Sequence, residues 1–107
     1  MERIQVSDAT LLKTIEALMV KIGNKIEEKG RGVYASNHEG LGIVTEEYKE
    51  LIDAVQSNDP VDVADENFDV AVGAIWMIAS LMEQEDRLKA AQKELEDDVA
   101  AIKSELQ

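Results

Sequence analysis

Glu47 and Glu50 stand three residues apart, and further along the chain Glu66 and Asp69 repeat that spacing. On a helix, three residues leave two side chains about 60° apart around the axis and one turn apart along it, so each pair of carboxylates can meet at one point. Glu46 lies beside Glu50 at the four-residue spacing. Four converging carboxylates cannot all stay ionised in a half-buried cleft, because like charges a few ångströms apart raise one another's pKa. A divalent cation resolves the conflict. With oxygen as the only donor the ion must be hard, and magnesium, which is shared between carboxylates and substrate phosphates, suits the set better than zinc, with manganese as a substitute. Such ions can bridge a polyphosphate, offset charge on a leaving oxygen and acidify a water that attacks phosphorus, which is the chemistry of a nucleotide hydrolase.

The elements that must position these acids are helical. Apolar residues recur at three and four positions, there is one proline, and β-type alternation is scarce. After Ser7, an N-cap, the residues Leu11, Ile15, Leu18, Met19, Ile22 and Ile26 share a face until Gly30 ends the helix. Gly23 lies inside this pattern at a cost of about 1 kcal/mol relative to Ala, which marks it for a kink or a close contact. Ser36-Asn37-His38-Glu39 fits a capping box, and Leu41, Val44, Tyr48, Leu51, Ile52 and Val55 form the stripe of a second helix that closes near Gln56. Ser57-Asn58-Asp59-Pro60 is a turn, with the proline at the first position of a third helix. So short a turn implies an antiparallel hairpin that brings the two carboxylate pairs face to face. The third helix is apolar on two sides, Phe68, Val72, Ile75 and Ala79 on one and Val63, Val70, Ala74 and Met77 on the other. One side can pack on the first two helices, and the other needs the C-terminal segment or a second copy of the protein.

From Glu83 the chain holds eight acids and four bases, with Leu81, Leu88, Leu95 and Ile102 at seven-residue steps. This is the narrow seam of an amphipathic helix, which fits packing on its own domain as well as a dimer zipper. Nothing between Met82 and Leu88 breaks a helix, so the pattern allows either a kink or one long continuous helix. The expected architecture is therefore a single all-α domain over residues 1–107, an antiparallel bundle of about four helices, with 83–107 as an acidic C-terminal helix that either packs on its own domain or serves oligomerisation.

Charge and composition narrow the function classes. With 45% hydrophobic and 32% charged residues the 107-residue chain has the makings of one soluble core. A formal charge of −12 disfavours unaided contact with nucleic acid or an anionic bilayer. Ten acids and only Lys49 as a base lie between Glu39 and Asp69, which makes the orientation of those acids decisive. The longest apolar run, Val70 to Ala79, is well short of the roughly 20 residues of a membrane span. Met1-Glu2-Arg3 opens on an amphipathic pattern and not on a signal peptide, so a cytoplasmic location is expected. There is no cysteine, which excludes disulfides and thiolate chemistry. With one histidine and no partnering motif, a serine triad lacks support, and no phosphate-binding glycine loop is present.

The run Val44-Thr45-Glu46-Glu47-Tyr48-Lys49-Glu50-Leu51, followed after fifteen intervening residues by Glu66-Asn67-Phe68-Asp69, resembles the E-x-x-E, spacer, E-x-x-D signature of the all-α nucleoside triphosphate pyrophosphohydrolases, the MazG-like group. The resemblance covers about residues 38 to 80. It implies a helical core assembled as a dimer or tetramer, magnesium held by Glu47, Glu50, Glu66 and Asp69, and cleavage of a nucleoside triphosphate to the monophosphate and pyrophosphate. Within that reading Glu46, with Glu47 and Glu50, belongs to the catalytic set, Glu46 being placed to orient or deprotonate water. Such enzymes carry phosphate-binding bases downstream of the second motif. Here the downstream bases, Arg87, Lys89, Lys93 and Lys103, sit in an acidic segment, whereas Lys21, Lys25, Lys29 and Arg31 lie upstream. His38 could contact a base at the mouth of the second helix, and Trp76, on the side of the third helix that bears Asp69, could floor a nucleobase pocket. Gly73 on that same side admits either a phosphate or a neighbouring helix. The competing class is a non-catalytic helical interaction protein that keeps the hairpin and recruits a partner through its tail.

Overall fold

The computed structural model describes residues 2–106, which form five helices packed as an all-α bundle. The first, α1 (Asp8–Lys29), starts where Ser7 Oγ accepts the Thr10 amide and ends where the Gly30 amide donates to Ile26 O at a φ of 83°. The φ at Gly30 lies in the region that favours glycine. Gly23 makes no close contact: α1 continues through it, and a Cβ there would meet nothing within 4 Å.

The second helix, α2 (Asn37–Ser57), begins with Ser36 Oγ accepting the Glu39 amide, while Glu39 Oε1 accepts the Ala35 amide at 3.3 Å. The box therefore closes one residue further back than its usual form. Asn58, left-handed at φ 60°, caps α2, and Asp59 Oδ1 accepts the Val61 amide to open α3 (Pro60–Gln84). Two residues thus turn the chain through an antiparallel hairpin.

Two glycines set the register of that hairpin. Gly40 of α2 faces Met77 of α3, and Gly73 of α3 faces Val44 of α2. The same register continues down the seam to set Glu47 and Glu50 opposite Asp69 and Glu66. A Cβ added to Gly40 would lie 2.9 Å from both Met77 Sδ and the Tyr34 ring, and at Gly73 it would come within 3.3 Å of Val44 Cγ2. The space at Gly73 is filled by a neighbouring helix.

The loop 30–36 is tied to α3 by two bonds, the Tyr34 amide to the buried Ser80 Oγ at 3.0 Å and the Trp76 indole N–H to Gly32 O at 2.7 Å. Against α3 also leans α1, with Lys21 Nζ 3.9 Å from Asp65 and 5.9 Å from the Phe68 ring centre.

The tail is neither one continuous helix nor a simple kink. It divides into α4 (Asp86–Glu94) and α5 (Glu96–Leu106), the chain being extended at Glu85 and turning again at Leu95. Charge accounts for both breaks. Glu83 and Glu85 sit at the C-terminal, negative end of α3, where acids are unfavourable, whereas Asp86 gains from lying in the first turn of α4. The same holds at the next break, where Glu96, Asp97 and Asp98 fill the first turn of α5. Folded back, α5 lays Val99, Ile102 and Leu106 near Leu12, Ile15 and Met19 of α1. None of the described helices is long and apolar enough to cross a membrane.

The interior is small. Among the large apolar side chains of the described residues only Val72 is buried, while Leu41, Tyr48, Ile52 and Val55 leave a stripe of α2 open, Tyr48 at 55% exposure. The chain exposes 8569 Å², about 2,600 Å² more than a compact monomer of this mass would show. Its radius of gyration of 16.0 Å likewise exceeds the roughly 13 Å of a compact domain of this length.

Two glycine substitutions check this packing. Gly23→Ala should raise stability by about 1 kcal/mol through helix propensity alone, whereas Gly40→Ala should lower it by about 1–3 kcal/mol as Met77 and Tyr34 are displaced. Urea midpoints that rise equally for both would contradict the register described.

Candidate metal centre

Each helix of the hairpin contributes one carboxylate pair, and the register set by Gly40 and Gly73 brings the pairs to the same level. Glu47, Glu50, Glu66 and Asp69 each place one carboxylate oxygen so that all four lie within 4.8 Å of one another. This spacing is of the order of the oxygen-to-oxygen distances around a bound divalent cation. The set was legible from the two E-x-x-[ED] spacings, and the structure brings all four members together.

The environment is poor in compensating groups. Glu47 Oε2 and Glu66 Oε2 are shielded from solvent and have no hydrogen-bond partner. A buried carboxylate oxygen left without a donor is costly unless it is protonated or meets a cation. The Glu47 carboxyl is accordingly pushed above its ordinary value, first by burial and then by the charges of Asp69 and Glu50, with a hydrogen-bonding contact to Glu50 favouring the proton. Glu66 is raised in the same direction, again chiefly by burial, followed by Glu50 and Asp69. Glu50, exposed at the seam, thus sits between two carboxyls that hold protons more firmly than usual. The described residues offer no lysine or arginine paired with any of the four. All-oxygen donors, two of them buried and unpartnered, fit a hard divalent cation such as magnesium or manganese.

No protein-family model, curated protein or solved structure matches the chain.

The other candidate residues are dispersed around this centre. Glu46 is exposed and lines a cavity that also touches Glu47 and Asp69. Trp76 lines the same cavity. His38 is exposed on the first turn of α2 and is not part of that lining. Tyr34 belongs to none of the sequence motifs. It stands on the cavity wall with its phenol raised above the usual value, by burial first and then by Glu39 and Glu47. The only signal that could have found it is its place in the loop just before the capping box.

The proton balance of the cluster fixes a pH dependence. Without metal, folded Glu47 and Glu66 keep protons that the unfolded chain releases, so the folded state is the one that binds more protons. Stability then falls as pH rises from the ordinary glutamate value through the raised folded values, and the contribution is flat below that window. In EDTA, the melting temperature should be higher near about pH 5 than near about pH 7.5. Glu47→Gln with Glu66→Gln should flatten that slope and raise the melting temperature at the higher pH. Equal slopes in the wild type and the double variant would contradict the shifts.

Proposed function

We propose that this protein is a magnesium-dependent nucleotide pyrophosphohydrolase of the MazG-like kind, which converts a nucleoside triphosphate to the monophosphate and pyrophosphate. The observation that carries this reading is the meeting of four carboxylate oxygens within 4.8 Å, in a set where Glu47 and Glu66 each bury an oxygen without a hydrogen-bond donor. The two-helix signature of these acids supports it, being the one shared with that enzyme group.

Glu47, Glu50, Glu66 and Asp69 would hold the cation. When bound there, magnesium offsets polyphosphate charge and makes a water more acidic. The residues of the chain do the rest. Glu46, solvated and one position from Glu47, accepts a proton from the attacking water. The oxygen of that water forms a bond to the α-phosphorus, the bond from phosphorus to the bridging oxygen breaks, and pyrophosphate departs with the electron pair. The cavity wall shared by Glu46, Glu47 and Asp69 keeps that reaction beside the acids.

Self-assembly belongs to the same reading. The open stripe Leu41, Tyr48, Ile52 and Val55, and the surplus of about 2,600 Å² over a compact monomer, favour a second copy packing on the hairpin. A stable interface needs about 1,200–2,000 Å², which that surplus supplies.

Pyrophosphate release from a panel of standard and modified triphosphates with magnesium tests the activity. Glu50→Gln and Asp69→Asn should each reduce it by about 100-fold or more, the scale of losing one group that stabilises transition-state charge. Absence of release with every nucleotide, while magnesium still binds, would turn the reading toward a non-catalytic interaction protein that retains the fold. For assembly, light scattering should give a dimer or tetramer of the 11.8 kDa chain, and Tyr48→Lys with Ile52→Lys should shift it toward monomer. A monomeric wild type would contradict the packing.

A further inference from the structure

The loop 30–36 joins α1 to α2 and supplies Gly32, Val33 and Tyr34 to the lining of the cavity that also touches Glu47 and Asp69. Most of its residues are exposed, so water could satisfy their backbone groups. Two side chains of α3 bond the loop instead. Ser80 Oγ accepts the Tyr34 amide at 3.0 Å, across 46 positions of sequence, and the Trp76 indole N–H donates to Gly32 O at 2.7 Å, across 44. Every other hydrogen bond from a side chain to the main chain among the described residues spans four positions or fewer. The long-range bonds of this kind therefore converge on one short segment.

Ser80 is the one polar residue buried as a whole among the described residues, at 6% exposure, and it is not part of the cavity lining. A buried hydroxyl is costly unless it meets a partner, and here the partner is the main chain of the loop. Ser80 thus reaches the site only through that loop. Asp69, Gly73, Trp76 and Ser80 follow one another by four, three and four positions, so they share a face of α3. One helix carries a carboxylate of the cluster and, further along the same face, both anchors of the loop. The distance from the acids to the loop is thereby fixed by the rise of α3 and not by the residues 30–36 themselves.

We propose that Ser80, with Trp76 as the second anchor, is a positioning residue that holds the loop 30–36 in place as a wall of the acid cavity, and so sets how tightly substrate is held without taking part in bond breaking. What concerns substrate rests on the pyrophosphohydrolase reading. None of the four carboxylates lies on the loop, so loosening it leaves the cation site assembled. The loss falls on bound substrate and transition state alike. Uniform weakening of that kind raises KM and leaves kcat unchanged. A serine with only a structural role would do the reverse, since its removal lowers the folded fraction and reduces apparent kcat at unchanged KM.

Ser80→Ala removes the acceptor with little change of volume. In amide hydrogen exchange of the full chain without nucleotide, the Tyr34 amide should exchange at least about tenfold faster in this variant than in the wild type, and Ser80→Thr, which keeps the hydroxyl, should restore protection. Pyrophosphate release by Ser80→Ala should show KM raised roughly three- to tenfold, the worth of one net hydrogen bond, at unchanged kcat. Trp76→Phe keeps a ring in the wall but deletes the indole donor, and it should act in the same direction. The two changes together should raise KM by less than the product of their single effects, because either one frees the same loop. If Ser80→Ala does not fold, Trp76→Phe carries the test by itself. Magnesium affinity should be that of the wild type throughout. A Tyr34 amide that exchanges equally fast with and without the hydroxyl, a fall in kcat at constant KM, or unchanged kinetic constants would overturn the proposal. If the wild type releases no pyrophosphate from any nucleotide, the enzymatic reading fails, and exchange at Tyr34 still decides whether the loop is anchored, so the two can fail separately.

Discussion

Four acidic side chains held against each other across one helical seam are the constraint around which this molecule is arranged. Left ionised and dry, they would repel with nothing nearby to compensate, and two of their oxygens have no donor at all. The fold tolerates the crowding because the rest of the seam is tight. Gly40 lets Met77 and Tyr34 close over one end, and Gly73 lets Val44 approach a turn nearer the acids. The hairpin therefore cannot spread to relieve the charges without giving up its closest packing. Relief must come from protons or from a cation, and at neutral pH a divalent ion is the more effective of the two.

The same tension goes with a small apolar interior in the single chain. Few large side chains are buried, and a long stripe of α2 stays open. A protein that gives part of its small interior to a charged cleft has less apolar contact left to hold itself together. Any cation bound by the folded cleft would add stability by linkage to the folded state.

Much of the scaffold was legible in the sequence because it rests on local rules. Ser7, Gly30, Ser36 and Pro60 mark helix ends through groups within a few residues, and all four act at the predicted boundaries. The convergence of Glu47, Glu50, Glu66 and Asp69 was also readable, since helical spacing and a short turn leave little freedom. What escaped depends on register and angle. Gly40 reads as one more small residue until its opposite number on α3 is known. Lys25 and Lys29 line the cavity beside the acids, a placement that the periodicity of α1 alone does not give. The tail kept a seven-residue apolar repeat through Leu95, yet that residue ends α4: the acids on either side of it favour a new helix start over continuation.

The proposal that a hard cation belongs among these four carboxylates can be decided by diffraction. Crystals grown with manganese and measured at its absorption edge test it most directly. One anomalous peak or two are expected within coordination distance, about 2.0–2.6 Å, of oxygens from Glu47, Glu50, Glu66 and Asp69. Featureless density there, with the four side chains turned apart into solvent, would contradict it.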